Sequence, residues 1–202
     1  PAADVADWER GARGIGLLEV VRRVRPTILI GTSTDHGAFT QDVIEALCVG
    51  ADRPIVLPLS NPTERIEVMP ADVIAWSGGR ALVAAGIPVE DVEYDCVTYT
   101  IGQGNNALLY PGLGLGAVVS GAREITDGML LAAAEAVASQ VDPLPRGAAL
   151  LPPVRDLRAS SAIVAEAVAR CAETEGVASR THDDLARAIK DAMWEPVYGS
   201  WE

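Results

Sequence analysis

The stretch IGQGNNALLYPGLGLG, Ile101 to Gly116, sets two neutral amides, Asn105 and Asn106, among glycines and ahead of an apolar, helix-like run. Side-chain amides offer donors and acceptors without charge, which suits a carboxylate or carboxamide ligand. Asparagine beside glycine also tolerates left-handed backbone angles, and taken alone loop chemistry is the stronger reading of the pair. A second polar stretch, SNPT, presents Asn61 from a loop whose shape Pro62 restricts. Asn61 can serve a ligand or close an Asx-turn on itself, and the residues leave both open. A third stretch, GTST, has small side chains at Gly31, Thr32 and Ser33 that would let a flat ligand approach the backbone.

Groups able to break bonds are scarce around these amides. Lys190 is the only lysine and sits in an expected surface helix. His36 and His182 are far apart; the first reads as a solvated loop residue, the second as part of a helix start. Ser33 has no evident base partner, and Asp183 with Asp184 reads as a solvated helix N-terminus. Cys48, Cys96 and Cys171 fit neither a metal spacing nor a disulfide framework, and read as small apolar packing residues in a reducing compartment. Gly102 to Ala107 formally matches the dinucleotide fingerprint G-x-G-x-x-A, and Asp127 lies about 20 residues on. The match fails on context, because an expected hairpin precedes it where a βαβ strand is needed. GARGIG, from Gly11, follows no strand and orders its glycines wrongly. The residues describe a ligand-binding half without the groups to run a reaction.

The elements that must position these loops follow from apolar patterning. RPTILIG (Arg25–Gly31), PIVLPL (Pro54–Leu59) and Ala81–Ala84 are short apolar runs that read as strands buried on both faces. Phe39–Val49 and Pro70–Trp76 read as the helices between them. Strands alternating with helices imply a parallel sheet, whose ligands sit outside the carboxyl ends of the strands, where GTST and SNPT fall. Val92–Ile101 reads as a hairpin. Beyond it come helices over Gly112–Ser120, Thr126–Val141, Leu157–Glu175 and Thr181–Met193, the last with a capping-box-like start at Thr181. Among 202 residues, aromatics make up only 4%, so the core must come from Ala, Val, Leu and Ile. A net charge of −12 with no basic run argues against nucleic acid or an anionic membrane as partner. The chain opens on Pro1 without a methionine, and we read it as a fragment.

Taken together, RPTILIGTSTDHGAF, RPIVLPLSNPTERIEVMPADVIAWSGGRALVAAGIPVEDVEY, GQGNNALLYPGLGLG and the stretch ending MWEPVY resemble the C-terminal part of malic enzymes, from about Trp8 to Tyr198. The final stretch is most similar to the mycobacterial type. The resemblance implies an α/β fold, the second half of a Rossmann-like, doubly wound NAD-binding domain, followed by a mostly helical region. It divides the chain at 1–105, 106–177 (folding toward the substrate domain) and 178–202 (a C-terminal helical extension). It implies oxidative decarboxylation of L-malate to pyruvate with NAD or NADP and a divalent metal, Mg2+ or Mn2+, held by residues upstream. By that resemblance Gly31, Thr32, Ser33 and Asn61 contact the cofactor, and Asn61, Asn105 and Asn106 the substrate. The catalytic tyrosine and lysine of the family lie upstream, and Tyr94, Tyr99, Tyr110 and Lys190 do not replace them. A cytoplasmic homo-oligomer, dimer or tetramer, completed by the remainder of the same chain, is the corresponding expectation. Malolactic enzymes share the same stretches, so malate-to-lactate conversion is the alternative, and a non-catalytic nucleotide-binding module is a third reading.

Overall fold

A computed structural model describes residues 5–12 and 14–195. The chain divides into two compact units: Pro1–Gly104 with Asp142–Leu150, and Asn105–Val141 with Leu151–Glu202. The division falls inside GQGNN, between Gly104 and Asn105.

The first unit runs β1 (Arg10–Gly11), β2 (Gly14–Ile15), α1 (Leu17–Val24), β3 (Ile28–Gly31), α2 (Gln41–Gly50), β4 (Ile55–Pro58), α3 (Pro70–Trp76), β5 (Leu82–Ala85), β6 (Val92–Tyr94), β7 (Val97–Tyr99) and β8 (Gly102–Gln103). The order β3-β4-β5-β8 forms a parallel sheet in which Leu29 pairs with Val56, and Val56 with Val83. Residues paired in this way share a face, and that face is covered by Val21 of α1, Val43, Ile44 and Leu47 of α2, and Val73 and Ile74 of α3. Ile28 and Ile30 point the other way and remain 48% and 59% exposed. The apolar run of β3 therefore does not become a strand buried on both faces. Side-chain direction alternates with a period of two, and the helices packed into this core lie on the Leu29 side.

At the start of the unit a small antiparallel pair sets Arg10 opposite Ile15 and Gly11 opposite Gly14. One reading from sequence is corrected. Cys96 is exposed in the β6–β7 turn, where Asp95 and Cys96 have φ of 50° and 57°, so it is not a packing residue. Two successive positive φ angles match the twist of a two-residue hairpin. Cys48 and Cys171 are partly buried, and burial pushes both thiols up, as expected of inert packing cysteines.

The second unit holds α4 (Tyr110–Ser120), α5 (Asp127–Ala138), α6 (Leu157–Thr174) and α7 (Leu185–Ala192). α6 is the central helix, burying Val164, Ala165, Val168, Ala169 and Ala172 against the others. α4 approaches it closely: a Cβ on Gly116 would lie 2.6 Å from the Ala165 carbonyl oxygen and 2.8 Å from Val168 Cβ. α5 starts as its sequence requires, with Thr126 Oγ1 accepting from the Met129 amide at 3.1 Å. α7 starts four residues later than Thr181. Asp184 captures the cap by accepting from the Arg187 amide at 3.0 Å, while His182 Nε2 pairs with the Val119 carbonyl at 3.0 Å. The expected extension to 202 is described as far as Glu195. Among the described residues no helix is long and apolar enough to cross a membrane.

Candidate functional site

β3 and β4 end side by side, and the Leu59 amide donates to the Gly31 carbonyl at 2.9 Å, carrying the ladder one step past β4. The two polar loops expected from sequence leave from these ends: Thr32–Asp35 after β3, and Ser60–Thr63 after β4. Thr32 and Asn61 are exposed on them. Asn61 precedes a cis peptide bond to Pro62, and among the described residues no hydrogen bond ties its amide to its own turn. The Asx-turn alternative is therefore not what this loop uses.

The loops are joined from beneath by a residue that sequence reading passed over. Glu67 is fully buried. Its Oε1 accepts from the Ser33 amide at 2.7 Å, the Ser33 hydroxyl at 2.9 Å and the Ser60 hydroxyl at 2.5 Å, and its Oε2 from the Ser60 amide at 3.3 Å. Ser60 Oγ in turn accepts from the Thr34 amide at 2.9 Å, and Ser33 Oγ from the Asp35 amide at 3.2 Å. Burial alone would push this carboxyl up. The hydrogen bonds from Ser60 and Ser33 outweigh it and hold Glu67 below the usual carboxylate range. In the sequence Glu67 stands between two apolar neighbours, Ile66 and Val68, both of which are buried.

This geometry changes the meaning of two expected contacts. A Cβ on Gly31 would lie 2.6 Å from Glu67 Cδ, so glycine is required there by the buried carboxylate. Ser33, though exposed, commits both its donors to Glu67, which leaves it only acceptors for a ligand. Thr34 has φ of 57°, a left-handed angle that a β-branched residue rarely adopts.

In the second unit, Asn105 Oδ1 accepts from the Ala107 amide at 2.9 Å and caps a short 3-10 turn, Asn106–Leu108. Loop chemistry thus uses the oxygen of Asn105 and leaves its Nδ2 as a donor. Asn106 is exposed. Tyr99 is buried, donating to the Gly79 carbonyl at 3.1 Å and accepting from Arg146 Nε at 2.8 Å, which is a bracing role. His36 and Lys190 are exposed.

The amino ends of β4 and β5 border a cavity of about 460 Å³ lined by Arg53, Arg80 and Arg146. Two of these arginines brace backbone: Arg53 donates to the Leu144 and Pro143 carbonyls at 3.0 and 2.7 Å, and Arg80 Nε to the Ser77 carbonyl at 3.1 Å. At the opposite strand ends, Thr32 and Asn61 supply uncharged donors and acceptors of the kind a nicotinamide carboxamide pairs with, so the loop chemistry fits a nicotinamide cofactor. Among the described residues no three His, Cys, Asp or Glu side chains form a metal ligand set.

A parallel α/β sheet with polar loops at its carboxyl ends, followed along the chain by a helical unit, belongs to the class of open α/β folds to which dinucleotide-binding domains also belong. Comparison with known proteins makes this specific. The family described as "Malic enzyme, NAD binding domain" matches residues 2–173, and the chain belongs to that family. A candidate NAD malate oxidoreductase of Mycobacterium tuberculosis is 56% identical over 184 residues, covering 91% of this chain and 34% of that protein. A malolactic enzyme of Lactococcus lactis is 46% identical over 193 residues, covering 96% and 36%. The crystal structure of a malic enzyme from Pyrococcus horikoshii aligns with a TM-score of 0.67 at 31% identity, covering 88% of this chain and 36% of that one. The chain thus spans about a third of the length of these relatives.

Proposed function

We propose that these residues form the C-terminal part of a malic enzyme, which oxidises L-malate with NAD and releases CO2 and pyruvate. The reading rests most on the pair of polar loops at the ends of β3 and β4, within a chain matched almost throughout by an NAD-binding family. Bound there, the dinucleotide would accept hydride from the substrate. Gly31, Thr32 and Ser33 would line its nicotinamide side, Ser33 through its backbone, and Asn61 would orient cofactor and substrate together. Asn105 and Asn106 would offer amide donors to the substrate carboxylate. Uncharged groups suit that task because they orient an anion without competing for its proton.

The proton-transferring groups and the acidic ligands of a divalent metal, Mg2+ or Mn2+, come in this reading from the remainder of the enzyme chain. The boundaries 1–105, 106–177 and 178–202, use of NADP in place of NAD, and a homo-oligomeric state belong to the same proposal. Three free cysteines suit a cytoplasmic setting.

Malolactic conversion is the second reading, favoured by the 46% identity to a malolactic enzyme. Assaying the full-length polypeptide with L-malate, NAD and Mn2+ separates the two: pyruvate with stoichiometric NADH supports the first, lactate without net NADH the second. The variant Asn61→Ala should lower kcat/KM for malate on the order of 10²-fold, as for loss of one oriented donor. An unchanged kcat/KM would remove Asn61 from the site.

A further inference from the structure

We propose that Glu67 is the positioning residue of this site: its carboxylate locks the Thr32–Asp35 and Ser60–Thr63 loops into one arrangement and so sets how Thr32 and Asn61 are presented. The inference rests on the reading of these loops as the cofactor and substrate site.

Four donors converge on Glu67 from two loops: the amide and hydroxyl of Ser33, and the amide and hydroxyl of Ser60. All are donors, and only a group that accepts at both ends satisfies them, which is what an ionised carboxylate does. The arrangement propagates outward. With its own proton committed to Glu67, the Ser60 hydroxyl takes the Thr34 amide on its lone pair at 2.9 Å. That bond helps retain Thr34 at its φ of 57°. Strained angles of this kind persist where surrounding contacts over-determine them, and they cluster at ligand sites. Ser60 immediately precedes Asn61, and Ser33 immediately follows Thr32, so each inward-facing serine holds an outward-facing neighbour. The space Glu67 fills is the space a side chain at residue 31 would need, with Cβ to Cδ at 2.6 Å. Gly31 and Glu67 are therefore one device.

The test is Glu67→Gln in the full-length polypeptide. Glutamine keeps the shape but turns an NH2 group toward serine donors whichever way it is flipped. Because misplacement of a positioning loop costs rate, kcat/KM for NAD-dependent malate turnover should fall about 10- to 100-fold. The decisive readout is coupling: because Glu67 acts through Thr32 and Asn61 together, adding Glu67→Gln to the Thr32→Ala/Asn61→Ala enzyme should slow it by no more than about twofold. Multiplying effects, or a Glu67→Gln enzyme equal to wild type, overturn the inference. Absence of malate turnover in the wild type would instead sink the reading of the site. In that case amide hydrogen exchange in the full-length polypeptide still decides the matter. Glu67→Gln should speed exchange at Ser33, Thr34 and Ser60 about tenfold or more while leaving α4–α6 unchanged. Unaltered exchange at those three amides overturns the proposal.

Discussion

At the scale of single residues, the acid at the site works as structure. Glu67 has its folded pKa held below the unfolded value, so its charge favours the fold. That contribution is fully present above about pH 4.3, the ordinary glutamate value, and is lost as pH falls through the folded pKa. Urea unfolding followed by circular dichroism at pH 7 and near pH 3 should show the wild type more stable than Glu67→Gln at the higher pH. The gap should narrow at the lower pH, whereas a constant gap would mean the carboxylate charge contributes nothing. The exposed candidates Thr32, Asn61 and Asn106 were legible because strand ends and glycine-flanked amides announce themselves in the sequence. Glu67 was not, because nothing in a linear pattern says that an acid between Ile66 and Val68 points inward and meets Ser33, 34 residues away. Ser33 shows the same limit. Its small size was legible, but the direction of its donors was set by a partner in another loop.

At the scale of elements, strong periodicity carried most of the fold and weak signals failed. β3, β4, β5, α2 and α3 lie within three residues of where apolar runs and proline placed them. β8 escaped because its two residues, Gly102 and Gln103, have no pattern to read, and pairing with Ala84 and Ala85 alone makes them a strand. α7 began late because Asp184 outcompeted Thr181 for the cap. The α4–α6 contact gives a direct test of why α4 is so rich in glycine. Gly116→Ala drives a Cβ into the Ala165 carbonyl and should cost about 1–3 kcal/mol of stability. Gly114 faces open space, so Gly114→Ala on the same helix should stabilise by roughly 0.5–1 kcal/mol. Equal effects of the two substitutions, measured by urea unfolding, would remove close packing as the reason for Gly116.

At the scale of the molecule, the chain reads as a ligand-presenting segment of a larger catalyst, spanning 34% of the mycobacterial relative's length. Its site residues are amides, hydroxyls and backbone groups, braced by a buried carboxylate that is saturated with hydrogen bonds. In the proposed function none of these moves a proton. The proposed function is thus a division of labour: this chain would orient, and the remainder of the polypeptide would react. The most direct measurement is malate-dependent NADH formation, followed at 340 nm with Mn2+ present as rates are compared between the full-length polypeptide and the isolated 202 residues. Turnover by the full-length protein and none above background by the isolated chain is the predicted result. Steady turnover by the isolated chain, abolished by Asn61→Ala, would contradict the account by placing the reacting groups within these residues.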